Sequence, residues 1–180
     1  TFNLSDAVFG LILVGVLSSL TALLFMKNLL YFNKMASIIK IPFYWKPIIP
    51  GVICGIFAIL LPEVVGLGSE TVVNVISNNN LIFFLILILI LKIVLTSVCI
   101  SFGMFGGVLS PALLIGACSG ALIFTIPLFE FNSNISSILA VSGMAAVSSS
   151  VIGAPITAII LVFELTNSYE YSLAAILPIA

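Results

Sequence analysis

Histidine and arginine are both absent from these 180 residues, and only 6% of the residues are charged. Without histidine the chain lacks the usual proton relay, and without arginine it lacks the bidentate clamp for phosphates and carboxylates. Five lysines and six acidic residues give a formal charge of −1, so there is no basic surface to hold a nucleic-acid backbone. The composition therefore excludes nucleic acid as a partner.

Cysteine is also scarce, since only Cys54, Cys99 and Cys118 are present. They stand far apart in apolar segments, with the spacing of neither a disulfide framework nor a metal site. We interpret them as small core residues. No cluster of carboxylates, histidines or thiols suggests a catalytic pocket, so the sequence predicts no enzyme, no metal and no cofactor.

Apolar residues, by contrast, make up 62% of the chain, and the mean hydropathy is +1.43. An average soluble domain is about 25% charged, so this composition predicts an integral, multi-pass protein of a lipid bilayer. Long apolar runs in a membrane form helices, because every backbone polar group must be paired within the protein. The predicted fold class is therefore all-α.

Proline, glycine and polar clusters divide the chain into apolar segments of unequal length. A first helix of about 30 residues is predicted to start with Asp6 and Ala7, and a last one follows Tyr169. The others are predicted at Ile48–Leu61, Ser69–Ile76, Leu81–Phe102, Pro111–Ile126, Ile135–Ser148 and Pro155–Leu165. Glycines four residues apart, at 51 and 55 and at 116 and 120, predict close helix approach.

The stretch from Gly103 to Pro111, GMFGGVLSP, interrupts two strongly apolar segments. Irregular backbone inside a membrane survives only where protein buries it or where it lines a cavity. A helix that starts near Pro111 leaves unpaired N–H groups at its positive end, which favours an anion. The predicted anion-binding amides are those of Gly107, Val108 and Leu109, supported by Gly103, Gly106, Ser110 and Pro111.

An alternative for this stretch is a tight turn between helices at the bilayer surface. The second break, Gly153-Ala154-Pro155, favours a protein built from discontinuous helices, as many transporters are. Lys92 stands near the middle of its apolar segment, which predicts a functional residue that faces protein or water. The alternative is a lysine that snorkels or pairs with an acidic residue, namely Glu63, Glu70 or Glu130.

Four of the five lysines, at positions 27, 34, 40 and 46, fall in one short connection. An excess of positive charge marks cytoplasmic loops, so the segment from Lys27 to Lys46 is predicted on the cytoplasmic side of a plasma or inner membrane.

Two runs, GMFGGVLSPALLIGACSGA and SGMAAVSSSVIGAPITAIILVFELTNSYE, resemble the CLC family of chloride channels and proton-coupled chloride antiporters. The resemblance implies a homodimer in which each subunit has an inverted-repeat pore of tilted, short and discontinuous helices. Residues 1–180 would be part of one such transmembrane domain, comprising its second repeat and flanking helices. The resemblance places Val108 and Leu109 at the pore-facing amides, Lys92 at a basic position near the pore, and the helices from Pro155 onward at the other subunit.

The chain departs from the pattern of that family in two respects. Leu109 stands where the G-x-F-x-P motif usually has phenylalanine, which leaves the amide intact and changes the side chain. The pore serine and the gating glutamate of a G-x-E-G-P motif do not occur, and the pore tyrosine would lie beyond Ala180. The chain is therefore expected to be a fragment that lacks the first half and the last pore helix, and these roles pass to no residue present.

The predicted function is chloride transport through a pore lined by helix N-termini, as a channel or as a proton-coupled antiporter. The alternative is another secondary transporter that binds an anionic substrate at a broken helix. A structural membrane anchor would not explain the repeated helix breaks.

Overall fold

A computed structural model of the chain describes residues 4–39, 42–61, 64, 82–104, 106–124, 133–167 and 169–179. Within these ranges the regular structure is entirely helical, which confirms the all-α prediction for this part of the chain. The α-helices are α1 (Leu4–Ile38), α2 (Ile48–Leu60), α3 (Ile82–Ser101), α4 (Leu109–Phe124), α5 (Ser133–Ile152), α6 (Pro155–Thr166) and α7 (Tyr169–Ile179). A 3-10 turn, Phe43–Trp45, precedes α2.

Two of these helices are long and apolar enough to cross a membrane: α1 over Val8–Ile38, with 31 residues, and α3, with 20. A helix of 20 residues is about 30 Å long, the thickness of a bilayer core. The outer face of α1 is apolar, since Phe9, Ile12 and Val16 are exposed. The shorter helices α2, α4, α5 and α6 are also apolar, as the sequence predicts.

Helix α5 lies at the centre of the bundle and packs against α1, α4, α6 and α7. Every residue from 139 to 149 is buried. A second apolar core joins α1 and α3 to α4, and its fully buried side chains include Phe25, Leu85, Ile88, Leu114 and Ile115. The central position of α5 explains its small side chains, because helices can approach closely only where the residues are small.

The contact between α4 and α5 is made backbone to backbone at three glycines. A Cβ atom on Gly116 would lie 2.6 Å from the Cα of Met144, and one on Gly120 would lie 2.8 Å from the Cα of Ala140. Gly143 of α5 faces both of them. The predicted close approach at positions 116 and 120 is confirmed, whereas no residue in the described part of the chain lies close to Gly51 or Gly55.

Helix α5 runs to Ile152, whereas the sequence predicts an end at Ser148. The hydroxyl of Ser148 donates to the Met144 carbonyl at 2.7 Å, and that of Ser150 donates to the Ala146 carbonyl at 2.9 Å. Serine hydroxyls that bond to carbonyls of the preceding turn need no solvent, so a polar run can continue a buried helix. The helix ends at Gly153, whose φ is +75° and whose N–H donates to the Ser149 carbonyl.

Other boundaries agree closely with the sequence. Helices α2, α3 and α6 differ from prediction by one residue at most at either end, while α1 begins at Leu4 and α5 at Ser133, each two residues early. Asn167, in the left-handed conformation, separates α6 from α7. The predicted helix at residues 69–76 and the predicted end of α4 at residues 125–127 lie outside the described residues.

Replacing Gly120 with alanine should destabilise the protein, because the new methyl group would meet the backbone of α5. Overpacking of this kind costs about 1–3 kcal/mol. The matched control is Gly55→Ala, where a Cβ atom would meet none of the described residues within 4 Å. Alanine should be neutral or slightly stabilising at this helical position. Thermal melting of the full chain in detergent, followed by size-exclusion chromatography, would measure both variants, and equal melting temperatures would contradict the close packing.

Candidate functional site

Helix α3 ends in a glycine cap that pairs its last carbonyl groups. Gly103 has a φ of +86°, a conformation that glycine adopts without strain. Its N–H donates to the Ile100 carbonyl at 3.1 Å, and the N–H of Met104 donates to the Cys99 carbonyl at 3.0 Å. These two bonds form a Schellman motif. The glycine-rich stretch therefore begins by closing one helix, with backbone groups satisfied as a membrane interior requires.

Helix α4 begins at Leu109, two residues before the predicted start at Pro111. The carbonyl of Val108 accepts the first helical hydrogen bond, from the N–H of Ala112 at 3.1 Å. Pro111 is the third helical residue, where it has no N–H to leave unpaired, and Ser110 lies inside the helix. The irregular backbone is thus shorter than predicted, and the amides of Val108 and Leu109 precede the first helical hydrogen bond at the positive end of α4.

A cavity of about 500 Å³ opens at this helix start. One water molecule occupies about 30 Å³ in the liquid, so the cavity has room for a small ion with part of its hydration shell. Its walls come from α2, from α3, from the break with the first turn of α4, and from Val64. The lining residues are Cys54, Val64, Lys92, Leu95, Thr96, Cys99, Ile100, Met104, Gly106, Gly107, Leu109, Ser110 and Pro111.

The cavity brings together most of the residues that the sequence predicted for the site. Lys92, which is 17 positions from Leu109 in sequence, shares the cavity wall with Leu109, Gly107 and Ser110. Two predicted residues are placed differently. The Val108 side chain packs on the apolar core, and Gly103 serves in the cap of α3.

Lys92 is buried, with 5% of its surface exposed, and its ammonium group donates to the Val64 carbonyl at 2.9 Å. The lysine is therefore held inside the protein and does not snorkel to the surface. The acidic residues weighed as alternative partners, Glu63, Glu70 and Glu130, lie outside the described residues. The cavity lining contains no acidic side chain among the residues that the structure describes. The ammonium group and the start of α4 both contribute positive potential to the same space.

Helix α2 also contributes to this site, which no pattern in the sequence indicates. Cys118 is a buried core residue, as interpreted, whereas Cys54 and Cys99 are half-buried and line the cavity. Cys54 also packs against the apolar core. Thr96 also reaches the cavity from α3. No periodicity or spacing could have paired positions 54 and 99, because they lie on two helices separated by a long connection. The second break, at Gly153, is confirmed as a turn but does not line the cavity.

Comparison with known proteins gives consistent matches. A sequence model of the voltage gated chloride channel family matches residues 2–180. The H(+)/Cl(-) exchange transporter ClcA of Klebsiella pneumoniae (strain 342) is 33% identical over 129 residues. The transporter of the same name from Salmonella arizonae is 31% identical over 132 residues. Each of these alignments covers 71% of this chain and 27% of the relative, so the chain spans little more than a quarter of those proteins.

Replacing Gly103 with alanine should destabilise the cap of α3, because a left-handed conformation costs a residue with a Cβ about 1–2 kcal/mol. The matched control is Gly106→Ala, three residues further along the chain. There a Cβ atom would meet none of the described residues within 4 Å, and φ lies outside the left-handed region. Thermal melting of the full chain in detergent should show a lower melting temperature for the Gly103 variant only. A Gly106 variant that is equally destabilised would contradict the cap assignment.

Proposed function

This chain belongs to the voltage gated chloride channel family, and from that premise we propose that it forms the anion-holding part of a chloride transport protein. One observation carries the proposal: a buried lysine and the positive end of a helix line the same cavity. The family consists of ion-transport proteins, which agrees with the prediction that the chain is not an enzyme.

In this proposal the anion is held by the backbone N–H groups of Gly107, Val108 and Leu109, with the Ser110 hydroxyl as a further donor. The start of a helix carries about half a positive charge, which attracts an anion without the tight hold of a full charge at contact distance. Conduction needs binding that is weak enough to release the ion. Lys92, engaged with the Val64 carbonyl, adds a positive field from the cavity wall.

The replacement of the usual phenylalanine by Leu109 is compatible with this arrangement. Leu109 is the first residue of α4, and its side chain is 37% exposed at the cavity. An amide donor depends on the backbone conformation of α4 and is indifferent to the side chain. The leucine therefore changes the shape of the cavity wall and leaves the proposed donor unchanged.

We further propose that residues 1–180 are part of one transmembrane domain, comprising the second inverted repeat of the pore and its flanking helices. Helix α6 starts at Pro155 and α4 starts two residues after Gly107, and such helix starts next to breaks support discontinuous pore helices. The bacterial relatives are named H(+)/Cl(-) exchange transporters, which favours exchange of protons for chloride over simple conduction. That activity would belong to the complete protein.

The proposed partner is a second copy of the chain, which would cover the helices from Pro155 onward. The outer faces of α6 and α7 are apolar, with exposed side chains that include Ile156, Ile160, Tyr169, Leu173 and Ile176. An exposed apolar face of this kind is suited to contact either another subunit or lipid. The identification of these helices with a dimer interface rests on the family resemblance.

The segment from Lys27 to Lys46 is proposed on the cytoplasmic side of a plasma or inner membrane. Lys27 and Lys34 are exposed, and the ammonium group of Lys46 donates to the Ala36 carbonyl in the last turn of α1 at 2.9 Å. Three described lysines thus cluster toward one end of α1, as the positive-inside rule requires of a cytoplasmic connection.

Replacing Leu109 with proline should reduce chloride flux about tenfold or more, because it removes one proposed amide donor, worth about 1.5–3 kcal/mol toward an ion. Proline is tolerated at the first position of a helix, so the fold should survive. The matched control is Leu109→Ala, which removes the side chain and keeps the amide. Chloride efflux from liposomes containing the full-length protein would compare the two variants. Wild-type flux in a well-folded proline variant would overturn the amide assignment.

Replacing Lys92 with methionine should also lower chloride flux, because it removes the only charged residue from the lining of the described cavity. Methionine approximates the volume of lysine, and Lys27→Met, at an exposed position, controls for the general loss of charge. Losing this charge removes a favourable interaction between the cavity wall and the anion, so the flux of the Lys92 variant should fall below that of the Lys27 variant. Equal chloride flux in the two variants would show that transport does not depend on the charge of Lys92.

A further inference from the structure

Two thiols meet in the wall of the cavity. The Sγ atoms of Cys54, on α2, and Cys99, on α3, lie 3.2 Å apart. Both side chains are half-buried and line the cavity, whereas Cys118 is completely buried. The pair is therefore in contact and open to a small solute in the cavity, and the third cysteine is a natural reference.

Helix α2 contributes Cys54 both to this contact and to the wall of the cavity. Among the described helices α2 packs chiefly on α3, and its opposite face is exposed, including Val52, Ile56 and Ile59. Cys54 is the point at which α2 forms part of the cavity wall. Any change in the distance between Cys54 and Cys99 would therefore move a wall that faces Lys92.

We propose that Cys54 and Cys99 form a reversible oxidation site, at which a hydroperoxide converts the two thiols into a disulfide and thereby slows chloride passage. A disulfide holds its sulfur atoms about 2.05 Å apart, so the two sulfurs must approach by about 1 Å. That movement draws α2 onto α3 and narrows the cavity between them. The effect on transport rests on the proposed function, but the oxidation itself does not.

The chemistry balances with hydrogen peroxide as the oxidant. The sulfur of one cysteine attacks a peroxide oxygen and becomes a sulfenic acid, and one water molecule leaves. The sulfur of the second cysteine then attacks the sulfenic sulfur, forms the S–S bond and displaces the hydroxyl as a second water molecule. The two thiols lose two electrons and two protons, and the peroxide accepts all of them. Contact between the sulfurs favours this second step over further oxidation.

The test uses the full-length protein in liposomes, treated with hydrogen peroxide and then with N-ethylmaleimide to mark the remaining thiols. Mass spectrometry should find the Cys54 and Cys99 peptides joined, lighter by two hydrogen atoms, and separated again by dithiothreitol. Cys118→Ser should behave as wild type, and Cys54→Ser and Cys99→Ser should form no such link. Wild-type protein in which peroxide leaves both thiols open to N-ethylmaleimide would overturn the proposal.

Chloride efflux from the same liposomes measures the consequence of oxidation. Peroxide should reduce the flux of wild type and Cys118→Ser, because the narrowed cavity admits the ion less easily, and dithiothreitol should restore it. In the Cys54 and Cys99 variants the ratio of flux before and after peroxide should stay near one. A disulfide that forms without any change in flux would overturn the inhibitory effect.

The two readouts separate this proposal from the proposed function. Reduced protein that carries no chloride while still forming the disulfide would refute the transport function and support the oxidation site. Reduced protein that carries chloride but forms no disulfide would refute the oxidation site alone.

Discussion

The backbone contact between α4 and α5 is the constraint on which the rest of the structure depends. Gly116 and Gly120 of α4 meet Gly143 of α5 with no room for a Cβ atom. In a membrane, helices associate mainly through such close packing, because lipid offers no hydrophobic drive between them. Since α5 also packs against α1, α6 and α7, this contact positions the start of α4 relative to most of the bundle.

The second requirement is that backbone polar groups be paired away from water. The Gly103 cap satisfies the carbonyls at the end of α3, and the Val108 carbonyl opens the hydrogen bonds of α4. Between these two points the chain turns and leaves the amides of Val108 and Leu109 at the positive end of a helix. The proposed anion site thus lies between the capped end of α3 and the first hydrogen bond of α4.

The sequence predicted much of the helical architecture because proline, glycine and long apolar runs act locally. The prediction of a helix end was wrong where polar side chains form hydrogen bonds within their own helix. Ser148, Ser149 and Ser150 look like a polar helix end, yet their hydroxyls bond to carbonyls of the preceding turn and α5 continues. At Gly51 and Gly55 no residue in the described part of the chain lies close, because a small residue permits a close neighbour without supplying one.

By itself, the sequence determined the membrane class, the helical fold, the family resemblance and the glycine-rich break, since composition and local backbone preference are properties of the chain alone. Only the tertiary structure decided that Lys92 donates to Val64 and shares a cavity with Leu109. It also decided that Cys54 touches Cys99. The physical reason is that the register and rotation of packed helices depend on contacts between distant segments, and no local pattern records which faces will meet.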